Sequence, residues 1–372
     1  MPEGPEVSVL VQGLHSRYLS EDRARWNLVD ASILSGRYHN SEEQFRSSNF
    51  EMLKMNLPMR LDCISCKGKF IWFTFTKFPP SLEQFNVWST LGMTGGWSLY
   101  PHPHARIAFR LRQRGENGED TTLYFYDMRN FGTFKVSSDH KILSQRLQKL
   151  GRAWLGMGPI VEGWQGLMTW PEFSVIAAAS VRRAPLRPLC VFLMDQSKTA
   201  GIGNYILSEI LFATGTSPWA LIGDVEEQRW RNIFHHARRI IYSSFVAQIA
   251  AKGLAIKDMA IENGKIHTLE PAGFQLQVYG RQQTPPQAFA GGQKFHVERA
   301  EGPHKRTVHF VPSIQTGAAP LTSCGDLEFE GDRTFVRMSV SELKSACRER
   351  GLPISGCKAE LKARIEKHDG AS

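Results

Sequence analysis

Nowhere in the 372 residues is there an uninterrupted apolar run of the roughly 18 residues that a membrane-spanning helix needs. No membrane partner is therefore expected. Cysteine is sparse too. The six present, Cys63, Cys66, Cys190, Cys324, Cys347 and Cys357, show no disulfide framework, which suits a reducing compartment, cytosol or nucleus. Cys63 and Cys66 have the spacing of half a zinc site, but no second pair accompanies them and they fall in an alternating strand pattern. No metal is expected there. An acidic excess is also missing: 45 Lys+Arg face 36 Asp+Glu, net charge +9. A balance of that sign suits a polyanion, nucleic acid before membrane. Met1-Pro2-Glu3 is acidic where a secretory signal would be basic, so no leader is expected. At this length the chain can hold two or three domains.

What is present is concentrated first in Met1-Pro2-Glu3-Gly4-Pro5-Glu6. If Met1 is removed, Pro2 becomes a secondary amine beside the Glu3 carboxylate. Such an amine attacks a sugar C1′ to give an iminium, which is cationic without a proton and serves as an electron sink. An α-amino pKa of about 8 leaves part of it neutral near pH 7. Pro5 suits the first turn of a helix, and Val7, Leu10, Val11, Leu14 and Tyr18 follow at helical spacing. The positive end of that helix would favour the uncharged amine. The plainer alternative is a frayed terminus that enters an ordinary helix.

Residues 60–76, 104–111, 121–128 and 131–137 are rich in β-branched and aromatic residues. The polar turn RQRGENGED joins the second run to the third as a hairpin. Residues 1–140 therefore read as one helix plus a β-sandwich or flattened barrel. The period then becomes helical over 171–180, 186–196, 204–214, 225–250 and 255–261. Residues 273–316 return to β character, with a hairpin of KFHVER and RTVHFV around AEGPHK. A small, acidic stretch after residue 316 reads as a linker. Between two of the helices, Asp195 to Asn204 forms a G-x-G turn with Asn204 as cap of the helix that carries Ile206, Ile210 and Leu211. Amides exposed there suit a phosphate, and Gly203 lets the backbone approach it.

The last segment is a separate unit. Ser339 and Glu342 form a capping box, Gly351 ends the first helix, and Leu343, Cys347, Leu352, Leu361 and Ile365 can build a small core. Arg337, Lys344, Arg348, Arg350, Lys358, Lys362 and Arg364 decorate it. SELKSACRERGLPISGCKAELKARI resembles a SAP motif, which implies weak, shape-based DNA binding. A charged helical hairpin with no ligand is the alternative.

With P-E-G-P-E at the amino end, LMDQSKTAGIGNYILSEILF in the middle, and VYGRQ followed by HKRTVHFVPSIQ, the chain from Pro2 to Gln315 resembles the formamidopyrimidine-DNA glycosylase / endonuclease VIII (Fpg/Nei) family. RPLCVFLMDQ looks more like eukaryotic Nei-like members. The resemblance implies a multi-domain α+β fold. Its parts would be an amino-terminal β-sandwich with an amino-terminal helix (1–140), a helix–two-turn–helix domain (141–270), and a β-hairpin finger (271–316). A linker (317–336) and the SAP helical hairpin (337–372) would follow. It further implies a monomeric, nuclear DNA glycosylase/AP lyase that acts in base excision repair on double-stranded DNA with oxidised bases or abasic sites, without a cofactor.

By the same resemblance Pro2 is the nucleophile, and Glu3 protonates the sugar ring oxygen or shuttles protons during elimination. Glu6 helps hold water or base. Lys69, in a K-G-K-F strand, approaches the lesion phosphate, while Asn204 and Arg306 clamp the flanking phosphates. Met93, Arg129 and Phe131 fill the gap left by the extruded nucleotide, as loop residues rather than sandwich core. The chain departs from the family in three places. Pro286, Phe289, Val311 and Ile314 stand where the family has zinc cysteines, which implies a zincless finger held by apolar contacts. Thr90 and Asn130 replace residues that are often basic in bacterial relatives. The 261–273 loop, at the lesion-recognition position, gives no preference among oxidised bases. Two other classes stay open on the residues: a catalytically silent binder of damaged DNA or chromatin, and an unrelated enzyme with an amino-terminal nucleophile.

Overall fold

The computed structural model describes residues 2–19, 26–115, 118–156, 166–252, 274–281 and 295–317, with backbone at 261–262 and 265–266. In the carboxy-terminal segment it describes residues 347–348, 350–354, 361, 365 and 368. The chain divides into two compact units, Met1–Ala319 and Pro320–Ser372.

The first unit opens with α1 (Gly4–Tyr18), β1 (Trp26–Ile33) and three short helices, α2 (Arg37–Asn40), α3 (Glu42–Ser48) and α4 (Phe50–Met55). Seven strands follow: β2 (Met59–Lys67), β3 (Phe70–Lys77), β4 (Gln84–Thr90), β5 (Gly95–Ser98), β6 (Ala105–Gln113), β7 (Asp120–Asp127) and β8 (Thr133–Ser137). With β1 they form one eight-stranded antiparallel sheet in the order β5-β7-β6-β1-β2-β3-β4-β8. Alternation decides which face each side chain takes: on β6, Ile107, Phe109 and Leu111 point inward while Arg110 faces solvent. The sheet folds over on itself as expected for a sandwich. Trp97 of β5 lies 4.9 Å from Phe73 of β3, although four strands separate them in the sheet, and its indole N–H donates to Ser89 Oγ on β4 at 3.1 Å. β3 is buried on both faces because Phe70 and Trp72 pack outward with Trp88 and Leu143, the latter on α5 (His140–Gln148).

The helical part comprises α6 (Trp170–Arg183), α7 (Leu189–Met194), α8 (Asn204–Ala213) and α9 (Glu227–Ala251). Between α5 and α8, β9 (Arg152–Ala153) pairs in parallel with β10 (Thr199–Ala200). The helix expected over 186–196 is confined to α7: Pro188, at ψ 142°, is its cap, and Asp195, at ψ 100°, ends it. Most of the helix expected over 255–261 lies outside the described residues. Its last residue is instead in a strand, β11 (Ile261–Glu262), paired with β12 (Lys265–Ile266). The finger hairpin is β13 (Glu298–Gly302) and β14 (Arg306–Phe310). It is tighter than read from sequence, since pairing continues to Gly302 opposite Arg306. Val311 is fully buried beside Val278 and Val297, with Phe212, Phe295 and Ile314 packed around them. Pro286 and Phe289 lie outside the described residues.

Helix α1 joins the two cores of this unit. Val7, Val11, Leu14 and Tyr18 enter the sandwich core, whereas Val9 enters the helical core with Ile202, Ile206 and Ile241. Fully burying each such valine contributes about 1.5–3 kcal/mol, so the amino terminus is anchored from two sides. In the second unit Cys347, Leu361 and Ile365 form a small core with Leu352. Gly351 ends the first helix in the left-handed region at φ +66°, and the Leu352 N–H donates to Cys347 O at 2.8 Å. Ser339, Glu342 and Leu343 lie outside the described residues.

Candidate nucleic-acid site

Three chain segments meet at the start of α1. The Gly4 N–H donates to Gly201 O at 2.9 Å, and a Cβ on Gly4 would lie only 3.0 Å from Gly201 Cα. Gly68, at φ +58°, turns β2 into β3 and would strike the Gly201 amide if it carried a Cβ. Lys69 therefore sits in this turn rather than in a strand, half-buried. A Cβ on Gly203 would meet the Glu3 carboxyl and come within 2.6 Å of Lys69 Nζ. Glycine is needed at these positions because backbone, carboxylate and ammonium converge there.

Glu3 is 2 % exposed, and its carboxylate occupies the amino terminus of α8. The Gly203, Tyr205 and Ile206 amides donate to it at 2.7, 2.9 and 3.3 Å. This corrects two expectations. Gly203, not Asn204, is the cap position, and Asn204 is the first helical residue. The amides expected to face a phosphate are taken by a side chain from the far end of the sequence, because a buried carboxylate needs donors and a helix start has orphan N–H groups to satisfy. Burial pushes the Glu3 carboxyl up to about 7, against the opposing pull of Lys69 and the amides. Burial lowers Lys69 to about 8, Glu3 opposes this, and nearby Arg306 adds to it. Both groups are thus poised near neutral pH.

Pro2 is half-exposed immediately before this buried carboxylate. The Glu3 N–H donates to Glu6 Oε2 at 2.9 Å. Glu6 Oε1 accepts from the Tyr205 hydroxyl at 2.9 Å and from Gln248 Nε2 at 2.7 Å, and Ser244 Oγ lies 3.1 Å from the Tyr205 oxygen and 3.0 Å from Gln248 Nε2. Glu6 therefore braces α1 against α8 and α9. Tyr205, Ser244 and Gln248 were not singled out in the sequence; the one available signal was Tyr205 next to Asn204. Their spacing is set by helix packing that no local motif encodes.

Asn204 and Arg306 come together through the finger. Asn204 Nδ2 donates to Thr307 O, the residue after Arg306, while Asn204 Oδ1 is buried with no protein donor. The Ser208 hydroxyl donates to Asn204 O at 3.0 Å and accepts the His309 N–H at 3.3 Å, which ties β14 along α8. The set Glu3, Glu6, Lys69, Gly203, Asn204 and Arg306 is thus one cluster with Pro2 at its edge.

Met93, Arg129 and Phe131 form a second place. Met93 lies in the turn between β4 and β5, and Arg129 and Phe131 lie in the connection from β7 to β8. Phe131 is 60 % exposed, so it is a loop residue and not sandwich core. Arg129 NH1 reaches Met93 Sδ at 3.7 Å, which brings the two loops together. Thr90 and Asn130 flank them. Cys63 and Cys66 both lie on β2.

The family model for the amino-terminal domain of formamidopyrimidine-DNA glycosylase matches residues 1–134, and that of the SAP domain matches residues 334–370. Formamidopyrimidine-DNA glycosylase of Thermus thermophilus is 30% identical over 254 residues, 67% of this chain and 80% of the relative. The enzyme of Desulfitobacterium hafniense is 27% identical over 290 residues, 76% of this chain and 89% of the relative. Among solved structures, the Thermus thermophilus MutM (Fpg) protein superposes with a TM-score of 0.59 at 26% identity, covering 86% of this chain and 100% of that one. The Lactococcus lactis enzyme bound to DNA containing an AP site superposes with a TM-score of 0.59 at 19% identity, covering 84% and 99%. The chain belongs to the formamidopyrimidine-DNA glycosylase family and carries a SAP domain at its carboxy end.

Proposed function

We propose that this chain is a bifunctional DNA glycosylase/AP lyase of base excision repair that removes oxidised bases from double-stranded DNA. The relatives' names carry formamidopyrimidine-DNA, and solved neighbours such as the Lactococcus lactis enzyme hold DNA with an AP site or, in another MutM structure, carbocyclic 8-oxo-G. The observation that carries the reading is the placing of Pro2: half-exposed, it directly precedes a buried carboxyl held near pKa 7 beside Lys69.

With Met1 removed, the Pro2 nitrogen attacks C1′, and Glu3 in its protonated form donates to the ring oxygen. The glycosidic bond breaks, and the base departs with the bonding electrons and takes the proton of the Pro2 nitrogen; the C1′–O4′ bond then opens, its electrons going to the ring oxygen that Glu3 protonates, which leaves the iminium. The resulting iminium acidifies C2′, so loss of its proton expels the 3′ phosphate; a second elimination expels the 5′ phosphate, and water releases the sugar fragment. Lys69, Asn204 and Arg306 bind the phosphates around the lesion and stabilise their charge as they leave. Glu6 holds Glu3 in place. Met93, Arg129 and Phe131 fill the space of the everted nucleotide, whose extrusion costs a few kcal/mol. The SAP domain adds DNA affinity without taking part in the chemistry, and the protein works in the nucleus.

Borohydride reduction in the presence of lesion-containing or abasic duplex should trap a covalent adduct at Pro2. Absence of an adduct across a panel of oxidised bases and abasic sites would leave a binder of damaged DNA as the surviving reading.

A further inference from the structure

We infer that Asp127 is the positioning residue of the wedge, fixing the Met93 turn and the Arg129–Phe131 loop to one another so that the three side chains enter DNA as one rigid piece. The inference rests on the proposed role of those three residues. Asp127 closes β7 and is 1 % exposed. A carboxylate so buried must have its oxygens satisfied. Here all its donors come from the two wedge loops: Gly132 N–H to Oδ2 at 2.6 Å, and Thr94 Oγ1 and Arg129 N–H to Oδ1, each at 3.2 Å. The Arg129 N–H also faces Thr94 Oγ1 at 3.3 Å, so the Met93 turn and the Arg129 backbone share one acceptor.

The rest of the loop is pinned from outside. Arg106 Nε donates to Asp127 O at 2.8 Å while its NH1 donates to Ser35 Oγ at 2.9 Å. Arg37 donates to Gly132 O and, at 2.9 Å, to the Tyr38 hydroxyl, which accepts the Phe134 N–H at 2.7 Å. The loops also touch directly: Gly92, at φ +57°, would press a Cβ to 2.8 Å from the Gly132 amide. Exposed Phe131 and Arg129 thus stand on a backbone whose donors and acceptors are tied at both feet. A wedge pre-set in this way loses little conformational freedom when it enters the base stack. Asp127 Oδ1 thus takes a donor from each loop, while Oδ2 takes the far end of the second loop at Gly132.

Asp127→Asn keeps the size of the side chain but turns one acceptor oxygen into a donor that faces a donor. Two measurements on the full chain test it. First, 2-aminopurine is placed opposite a tetrahydrofuran abasic-site analogue, and its fluorescence is read at saturating protein. The wild type should unstack the probe, and Asp127→Asn should lose most of that rise although the site is filled. Second, single-turnover base release is compared between a fully paired duplex and the same lesion in an unpaired bubble. Asp127→Asn should slow the duplex by about tenfold or more, the factor of one lost hydrogen bond to a charged group, and leave the bubble nearly unchanged. Thr94→Val, a milder change, should give the same split at smaller size. An unchanged fluorescence rise, or equal losses in duplex and bubble, overturns the inference. If the wild type forms no borohydride adduct, the glycosylase reading fails, and the fluorescence arm still decides the role of Asp127.

Discussion

The amino-terminal hexapeptide and the wedge loop each rest on one buried carboxylate, yet they are ordered from opposite sources. The donors to Glu3 are separated from it by about 200 residues of chain, in the turn that starts α8. The donors to Asp127 are at most a few dozen residues away, on two adjacent loops of the same sheet. The Glu3 carboxyl is pushed up to about 7 and shares its space with a cation, as suits a group that must exchange a proton. Asp127 is saturated by neutral donors, as suits a group that must hold still. A carboxylate satisfied by adjacent loops builds a rigid part; one satisfied from far along the chain beside a lysine is left near neutral pH, as the proposed proton transfer needs.

The contrast is broken most completely at Pro2. Pro2→Gly, or a chain that keeps Met1 and so has an amide in place of the amine, should yield no borohydride-trapped adduct, while binding to an uncleavable abasic analogue persists. Glu3→Gln should slow base release by roughly a hundredfold or more, as expected for a lost general acid. It should also change the pH dependence of stability. With the folded pKa raised from 4.5 to about 7, the wild type binds an extra proton when folded, so its stability falls as pH rises through that window. The loss can reach about 3 kcal/mol by linkage, and denaturation of Glu3→Gln between those pH values should lack this component.

Lys69→Met sharpens the electrostatic half of the comparison. Removing the cation that pulls the Glu3 pKa down should move the alkaline limb of the single-turnover rate to higher pH; a limb that stays near 7 would assign it to another group. Gln248→Met and Tyr205→Phe each remove one donor to Glu6 and should lower kcat by about three- to tenfold with KM little changed, the range of a single hydrogen bond. The smallest effect on chemistry is expected from deleting residues 333–372. DNA affinity should weaken and its salt dependence flatten, since fewer phosphates are neutralised, while the single-turnover rate stays within about twofold.

Local pattern made much of this protein legible. The helix of α1 follows from Pro5 and the spacing of Val7, Val11, Leu14 and Tyr18, and the β6–β7 hairpin follows from alternation on either side of a polar turn. Strand β5 and helices α2 to α4 are too short to display a period, while β1 and β4 lack clean alternation: β1 is broken by a register shift after Leu28, and β4 is buried along nearly its whole length. Site residues that belong to a motif could be named from sequence. Those that act by packing could not: Gln248 is one polar residue on a long helix, and Asp127 is one acid among 36 Asp+Glu.

By itself, the sequence determined the order of the motifs, the basic character of the chain, the adjacent proline and carboxylate at Pro2 and Glu3, and the turn that contains Gly201 and Gly203. Only the tertiary structure decided that the Glu3 carboxylate, not an outside anion, fills the start of α8, and that Lys69 Nζ lies close by. Chain order fixes which groups are available, but desolvation and charge depend on what surrounds a group in space, and those neighbours arrive from far along the chain.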